Sequence, residues 1–234
     1  MRSNDLAQVR HTALFAGISD EALQTLTTGA FLQVFPPHVE LFREGEEADF
    51  LFVVMEGMLE LFATWNDREA TITTVRPTGT FILAAVVRGA RYLMSARTLG
   101  RCRLLMLPAA NVRQALRDDT AFALAMIDEL SGCYRAAVKS QKNLKLRNGV
   151  ERLAAFLLQM KAQARGAEFE LPFDKRTLAS LLGMTAENLS RAFATLRPYG
   201  VVVDGARIGL VDGHDLERLA KPAPLIDGSD SVVD

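Results

Sequence analysis

Cysteine and histidine are scarce in this sequence, two and three respectively in 234 residues. Cys102 and Cys133 lie far apart and form no CxxC, so they read as reduced thiols of a core or an interface. Zinc and iron–sulfur centres need several thiolates or imidazoles, and His11, His38 and His214 are too few and too scattered to complete one. No metal site is expected. Long apolar runs are missing too: no uninterrupted stretch approaches the roughly 20 residues of a membrane-spanning helix. The opening MRSNDLAQVRHTALF is polar and lacks the apolar segment and small-residue cleavage site of a signal peptide. The expected location is the cytoplasm, with no membrane partner. Catalytic signatures are absent as well, with no Ser/His/Asp constellation, paired-acid pattern, Walker loop or HExxH, so an enzyme is not expected. Nor is there an excess of one charge: 27 basic and 28 acidic residues give a net charge of −1. That balance excludes a uniformly basic surface, but nucleic-acid binding needs only a basic contacting face. The basic residues are unevenly placed, with Lys139, Lys142, Lys145 and Arg147 in one cluster and Lys175, Arg176, Arg191 and Arg197 in another.

What is present changes texture along the chain. Residues 5–29 carry short helical patterns, with Ser19 placed to cap a helix bearing Leu23 and Leu26 on one face. From Phe31 to Pro108, short runs rich in Val, Ile, Phe and Thr alternate with turns at Gly45, Gly57, Gly79 and Gly89, and Asn66-Asp67 joins two of the runs. The stretch ATITTVRPTGTFILAAVV reads as one such β-rich run. So many short strands predict a small barrel or roll rather than a parallel sheet.

A long helix is predicted over about 119–146, with no proline and one glycine. Met126, Leu130, Cys133, Ala137, Ser140 and Leu144 recur at alternating spacings of three and four, a heptad-like seam. A narrow apolar stripe on a long helix needs a partner, and the simplest is a second copy of the chain. The other reading is a helix packed on its own domain, because the seam includes Ser and Cys beside Leu.

Beyond Asn148-Gly149 a further helix leads to FELPFDKRTLASLLGMTAENLSRAFATLRPYGVVVDGARIGLVD. The spacing predicts a short strand, two helices joined by a tight turn, and a hairpin around Asp204-Gly205. Asp174 caps the first helix, whose inward face is Leu178, Leu181 and Leu182; Gly183 supplies the turn, and Thr185 caps the second helix. Leu189, Phe193 and Leu196 form the buried face of that second helix. Its outward face begins with Ala186, Glu187, Ser190 and Arg191, in the turns that enter the major groove in helix-turn-helix docking. Arginine can fork onto guanine O6 and N7, glutamate can accept from the cytosine amino group, and serine is permissive. The DNA-binding candidates are Lys175, Arg176, Thr185, Ala186, Glu187, Ser190 and Arg191, with duplex DNA as partner. The bland reading is a helical hairpin with solvated charges; the following hairpin, placed as a wing, favours DNA binding.

From about Phe15 to Leu219 the chain resembles the CRP/FNR superfamily of bacterial regulators. The segment Phe42-Arg43-Glu44-Gly45 through Met55-Glu56-Gly57 is similar to the family's glycine-bracketed hairpin, and Glu187, Ser190 and Arg191 match the FNR-type E-x-x-S-R pattern. The resemblance implies an α+β chain: a cyclic-nucleotide-binding-like β-roll sensor domain over 1–118, a dimerisation helix over 119–147, a winged helix-turn-helix over 148–221, and a disordered tail over 222–234. It further implies a homodimer, contact with RNA polymerase and a palindromic site with TTGAT-like halves. The interface candidates are Met126, Leu130, Cys133, Ala137 and Leu144.

The sequence departs from the family pattern in the effector region. Cyclic-nucleotide-binding relatives place a carboxylate on the ribose and an Arg-Ser or Arg-Thr on the phosphate. Here Ala84 stands at the carboxylate position, and Arg88 and Arg91 are followed by Gly89 and Tyr92. With half the ligand chemistry missing, cyclic AMP is not expected. The N-terminal cysteines of the FNR iron–sulfur sensor are missing too. The remaining candidate is an apolar roll interior, Phe81 to Val87 with Tyr92, Leu93 and Met94. Phe81, Ala84, Ala85, Arg91 and Tyr92 mark the effector pocket, which could hold haem, another apolar effector, or nothing but its own side chains. His38 and His11 are the available axial ligands for haem. A module that senses a cyclic nucleotide, as regulator or on behalf of a protein partner, is the competing class.

Overall fold

The computed structural model describes residues 3–10, 12–164, 166, 168–211 and 214–228. Two compact units divide the chain, Met1–Cys133 and Tyr134–Asp234. The first opens with α1 (Ser3–Arg10), a 3-10 turn and α2 (Asp20–Thr27). Then come β1 (Phe31–Phe35), β2 (Glu40–Phe42), β3 (Phe50–Glu56), β4 (Leu59–Trp65), β5 (Arg68–Val75) and β6 (Thr80–Phe81). After α3 (Leu83–Arg88) follow β7 (Ser95–Thr98), β8 (Cys102–Pro108) and α4 (Ala109–Asp118). The strands form two four-stranded antiparallel sheets, ordered β1-β8-β3-β6 and β2-β7-β4-β5. Leu51 and Val53 of one sheet and Leu59 and Leu61 of the other bury into a shared core. This is the expected roll. Gly57 turns β3 into β4 at φ +86°, where a Cβ would strike Arg101 O at 2.4 Å. On β4, Glu60 is buried outside that core and accepts from Arg97 Nε (2.9 Å) and the Thr71 hydroxyl (3.0 Å), while Arg97 also lies 4.5 Å over the Phe62 ring. These contacts pin β4, β5 and β7 together.

One part of the predicted β-run is helical instead. Residues 83–88 form α3, because Ile82 takes a left-handed conformation (φ 67°) that ends β6, and Gly89, also left-handed, closes the helix. Leu83 and Val86 turn inward, whereas Val87 and Leu93 are exposed, so the interior does not run continuously from Phe81 to Val87.

The long helix α5 (Thr120–Leu146) lies where the spacing predicts. Asp119 caps it, accepting from Phe122 N (2.7 Å), and also accepts from the Ser19 hydroxyl (2.6 Å) at the start of α2. Phe122 and Met126 are fully buried in the roll's core, and Leu130 packs partly against it. Glu129 accepts from the hydroxyl and amide of Thr80. The predicted seam therefore needs correction at Met126 and Leu130, which face the chain's own core. The apolar residues left exposed lie about one position, or 100°, around the helix. They are Leu124 (60%), Ile127 (58%), Tyr134 (71%) and Val138 (41%), and with Ser131 they keep the spacing of three and four.

The second unit continues with α6 (Gly149–Ala164), β9 (Glu168–Glu170), α7 (Lys175–Leu181) and α8 (Ala186–Leu196). After a 3-10 turn come β10 (Val201–Asp204), β11 (Arg207–Leu210), α9 (His214–Ala220) and α10 (Pro224–Asp227). Asn148 and Glu151 start α6 with a reciprocal capping pair: each side chain accepts the other's backbone N–H, at 2.9 and 3.0 Å. Leu153 and Leu157 of α6, Leu178 of α7, Leu189 and Leu196 of α8, Ile208 of the sheet and Leu216 of α9 supply the core. The hairpin β10–β11 pairs Asp204 with Arg207, and β9 adds a third strand. The expected tail beginning at 222 is also corrected in part. Residues 224–227 are helical and Asp227 binds Arg147, while 229–234 lie outside the described residues. No helix among the described residues is long and apolar enough to cross a membrane.

Burial distinguishes the two faces of α5 energetically. Met126→Ala should lower the unfolding free energy by about 2–5 kcal/mol, the cost of a core truncation. Leu93→Ala, at an apolar but exposed site, should stay within about 0.5 kcal/mol. Urea denaturation of both variants measures the contrast.

Candidate nucleic-acid interface

A helix that reads DNA needs one face held rigidly and the other left clear. On α8 the held face is Leu189, Ala192, Phe193 and Leu196, all buried against the second unit's core. Helix α7 meets it through Leu178, Ala179 and Leu182, with Leu181 half-buried. The turn between them follows from local chemistry. Asp174 caps α7 by accepting from Thr177 N (2.7 Å), and that bond is the main reason its carboxyl lies below the usual range. Gly183 takes φ +62°, where a Cβ would also press on Leu144 at 2.9 Å. Thr185 then caps α8, accepting from Asn188 N at 3.2 Å.

All seven sequence-predicted contact residues are exposed: Lys175, Arg176, Thr185, Ala186, Glu187, Ser190 and Arg191. Glu187, Ser190 and Arg191 lie on one face of the first two turns of α8. Arg191 donates to Glu187 at 3.0 Å, and both side chains are more than 70% exposed. Such a surface pair is worth about 0–1 kcal/mol, so it orders the guanidinium without preventing its exchange onto a base. Ser190 donates to Ala186 O (3.1 Å), which leaves its oxygen able to accept. Lys175 extends over the Phe193 ring (5.7 Å), so it has a packing contact as well as a charge. Asn188, singled out in the sequence only for its capping position, leaves its amide side chain exposed beside this face. An asparagine amide can pair with adenine N6 and N7, a signal available from its residue type alone.

The other basic cluster is arranged differently. Arg147 is buried, and Lys139 and Lys142 donate to the backbone carbonyls of Gly228 (2.7 Å) and Leu225 (3.1 Å). These three residues hold the C-terminal turn rather than forming a clear basic surface.

The five effector-pocket residues do not converge on one site. Phe81 and Tyr92 are buried in an aromatic cluster, with Phe42–Tyr92 and Phe52–Phe81 centroids 4.0 and 5.1 Å apart. Burial pushes the Tyr92 hydroxyl's pKa up. Ala84 is exposed and Ala85 half-buried, and exposed Arg91 donates to Gly45 O at 2.7 Å. His38 is exposed in the turn between β1 and β2 and presents no imidazole to the roll interior; His11 lies outside the described residues. Among the described residues, no group of three or more His, Cys, Asp or Glu is placed to hold a metal ion. On α5, Cys133, Ala137 and Leu144 are exposed, in contrast to Met126 and Leu130.

Comparison with known proteins agrees with this division. The cyclic nucleotide-binding domain family matches residues 32–119, and the Crp-like helix-turn-helix domain family matches 151–219. A probable transcriptional activator of Rhizobium leguminosarum is 23% identical over 219 residues, covering 91% of this chain and 90% of the relative. The transcriptional activatory protein AadR of Rhodopseudomonas palustris is 26% identical, covering 74% of this chain and 75% of its own. Among solved structures, FixK2 from Bradyrhizobium japonicum superposes with a TM-score of 0.73 at 23% identity, covering 83% of this chain and 98% of that one. A CRP-family transcriptional regulator from Thermus thermophilus gives 0.68 at 22% identity, covering 82% and 97%. A roll of the first kind followed by a helix-turn-helix of the second, in relatives matched over most of their length, places this chain in the CRP/FNR family of transcriptional regulators.

Proposed function

We propose that this regulator works as a cytoplasmic homodimer that reads a two-fold symmetric DNA site with TTGAT-like halves, without cyclic AMP. The observation that carries the reading is the clear outer face of α8, where Glu187, Ser190 and Arg191 stand exposed on a helix fixed by its caps and its buried face. Arg191 forks onto a guanine, Glu187 accepts from a cytosine amino group, and Asn188 and Ser190 reach neighbouring bases. Arg176 at the start of α7 holds a phosphate, with Lys175 beside it. RNA polymerase is the further partner that the family implies.

Dimerisation uses the apolar face of α5 that the roll leaves uncovered: Leu124, Ile127, Tyr134 and Val138. Tyr134 and Val138 also line an apolar groove with Leu146 and the stems of Gln141 and Lys142. The matched domain family takes its name from cyclic nucleotides, but the chemistry for that ligand is incomplete in this chain. Ala84 offers no carboxylate, Arg91 already bonds Gly45, and Phe81 and Tyr92 fill the interior with their own rings. The haem alternative finds no support in the position of His38.

Three outcomes follow. Arg191→Ala should cost about 1–3 kcal/mol per half-site and relax the preference at one base pair, whereas Arg176→Ala should weaken all sequences alike and reduce the salt slope by about one. Binding selection from random duplexes, followed by salt titration, separates the two; parallel behaviour of the variants would reduce α8 to a solvated face. Ile127→Glu with Tyr134→Glu should produce folded monomers by sedimentation, and a dimer that survives both changes would refute the proposed seam. Cyclic AMP should leave the melting temperature unchanged, whereas a ligand at 100 times its Kd adds about 2.7 kcal/mol of stability and would raise it clearly.

A further inference from the structure

The junction between α5 and α6 carries the most heavily bonded ion pair in the second unit. Arg147, between the two helices, has a side chain only 6% exposed and donates both terminal nitrogens to the two carboxylate oxygens of Asp227, each at 2.6 Å. The same guanidinium donates to Lys221 O (3.1 Å) and Asn143 Oδ1 (3.2 Å). Asp227 in turn accepts from Ala223 N (2.7 Å), which closes the short α10 around it. Lys139 and Lys142 reach from α5 to the carbonyls of Gly228 and Leu225, and Gln159 reaches from α6 to that of Asp227 (3.4 Å). Lys221, left-handed at φ 47°, turns the chain back from α9 and sets its ammonium 3.4 Å from Glu151 at the start of α6. The C-terminal turn therefore bonds to both sides of one helix–helix bend.

We propose that the Arg147–Asp227 pair is a clamp that fixes the angle between α5 and α6, so that Arg147 and Asp227 are positioning residues for DNA recognition. This rests on the dimeric reading above. With α5 carrying the dimer seam and α6 supporting α8, the bend at Arg147 determines how far apart the two recognition helices of a dimer are held. A planar guanidinium with four acceptors is suited to that task, because its fork fixes direction as well as distance. Enclosure among acceptors also keeps the pair charged. Hydrogen bonding to Arg147 outweighs burial and holds the Asp227 carboxyl below its usual range, while Asp227 raises the Arg147 pKa. A depressed carboxyl stabilises the folded state above its unfolded pKa of about 4 and loses that contribution only as pH falls through the lower folded value. The clamp thus stays closed throughout the neutral range and is not a pH switch.

The test uses full-length protein carrying Asp227→Ala or, as the milder change, Arg147→Lys, which keeps the charge and loses the fork. Two measurements are made: backbone hydrogen exchange over residues 143–152, and binding to duplexes whose half-sites are separated by spacers differing by one base pair. With one spacing strongly preferred by the parent protein, both variants should exchange at least about tenfold faster over 143–152 and show a flattened spacing profile. Asp227→Glu should restore part of the spacing preference. Unchanged exchange, or an equal loss of affinity at every spacing, would overturn the clamp and leave the pair a contributor to stability alone. If the parent protein selects no paired half-sites, the dimeric DNA reading fails, and the exchange result still decides whether the bend is clamped.

Discussion

Phe122 and Met126 bury fully into the core beneath the β-roll, one turn apart at the start of α5, with Phe122 stacked on Phe15 at 6.4 Å. Each such side chain contributes about 1.5–3 kcal/mol through removal of its surface from water. Together with the Asp119–Ser19 and Glu129–Thr80 bonds, they fix the rotation of a helix that continues for about five further turns. Once that rotation is set, the opposite face is set too. Leu124, Ile127, Tyr134 and Val138 remain uncovered because Phe122 and Met126 are inside, and every proposal about assembly depends on that choice.

A second pattern is the contrast between charges that are held and charges that are left available. Glu60 and Arg97 bind each other beside Thr71, Arg91 bonds the Gly45 carbonyl, and Arg147 is enclosed by Asp227, Lys221 and Asn143. On α8, by comparison, Glu187 and Arg191 share one exposed contact that costs little to exchange. A near-neutral chain can therefore present a DNA-reading surface, because the arginines buried elsewhere have acceptors of their own. The sensor half shows the complementary property. An aromatic cluster of Phe42, Phe52, Phe81 and Tyr92 occupies the roll where an effector would need polar partners.

Several features were legible in the sequence because their cause is local. Asp174 and Thr185 satisfy amide groups three residues away, Gly183 relieves a turn that disfavours a Cβ, and Leu189, Phe193 and Leu196 recur at helical spacing. The hairpin at Asp204-Gly205 and the alternation of short strands from Phe31 to Pro108 belong to the same class. Each is decided within one or two turns of chain, so residue type and spacing suffice to read it.

Other features depend on residues brought together from far along the chain. Two apolar stripes with the same spacing of three and four lie one position apart on α5, and the pattern alone favours neither. Only the presence of the roll assigns Met126 and Leu130 to the inside and Ile127 and Tyr134 to the outside. Residues 83–88 carry an apolar run compatible with strand or helix until Ile82 breaks the sheet and Gly89 closes the turn. Arg147 and Asp227 are separated by 80 positions, so neither announces the other in the sequence, and a tail rich in aspartate reads as disordered. The sequence by itself determined the caps, the turns and the reading face of α8, which are settled by hydrogen bonds and sterics within a few residues. The tertiary structure decided which face of α5 is free and what Arg147 holds, because burial and ion pairing depend on neighbours that only folding supplies.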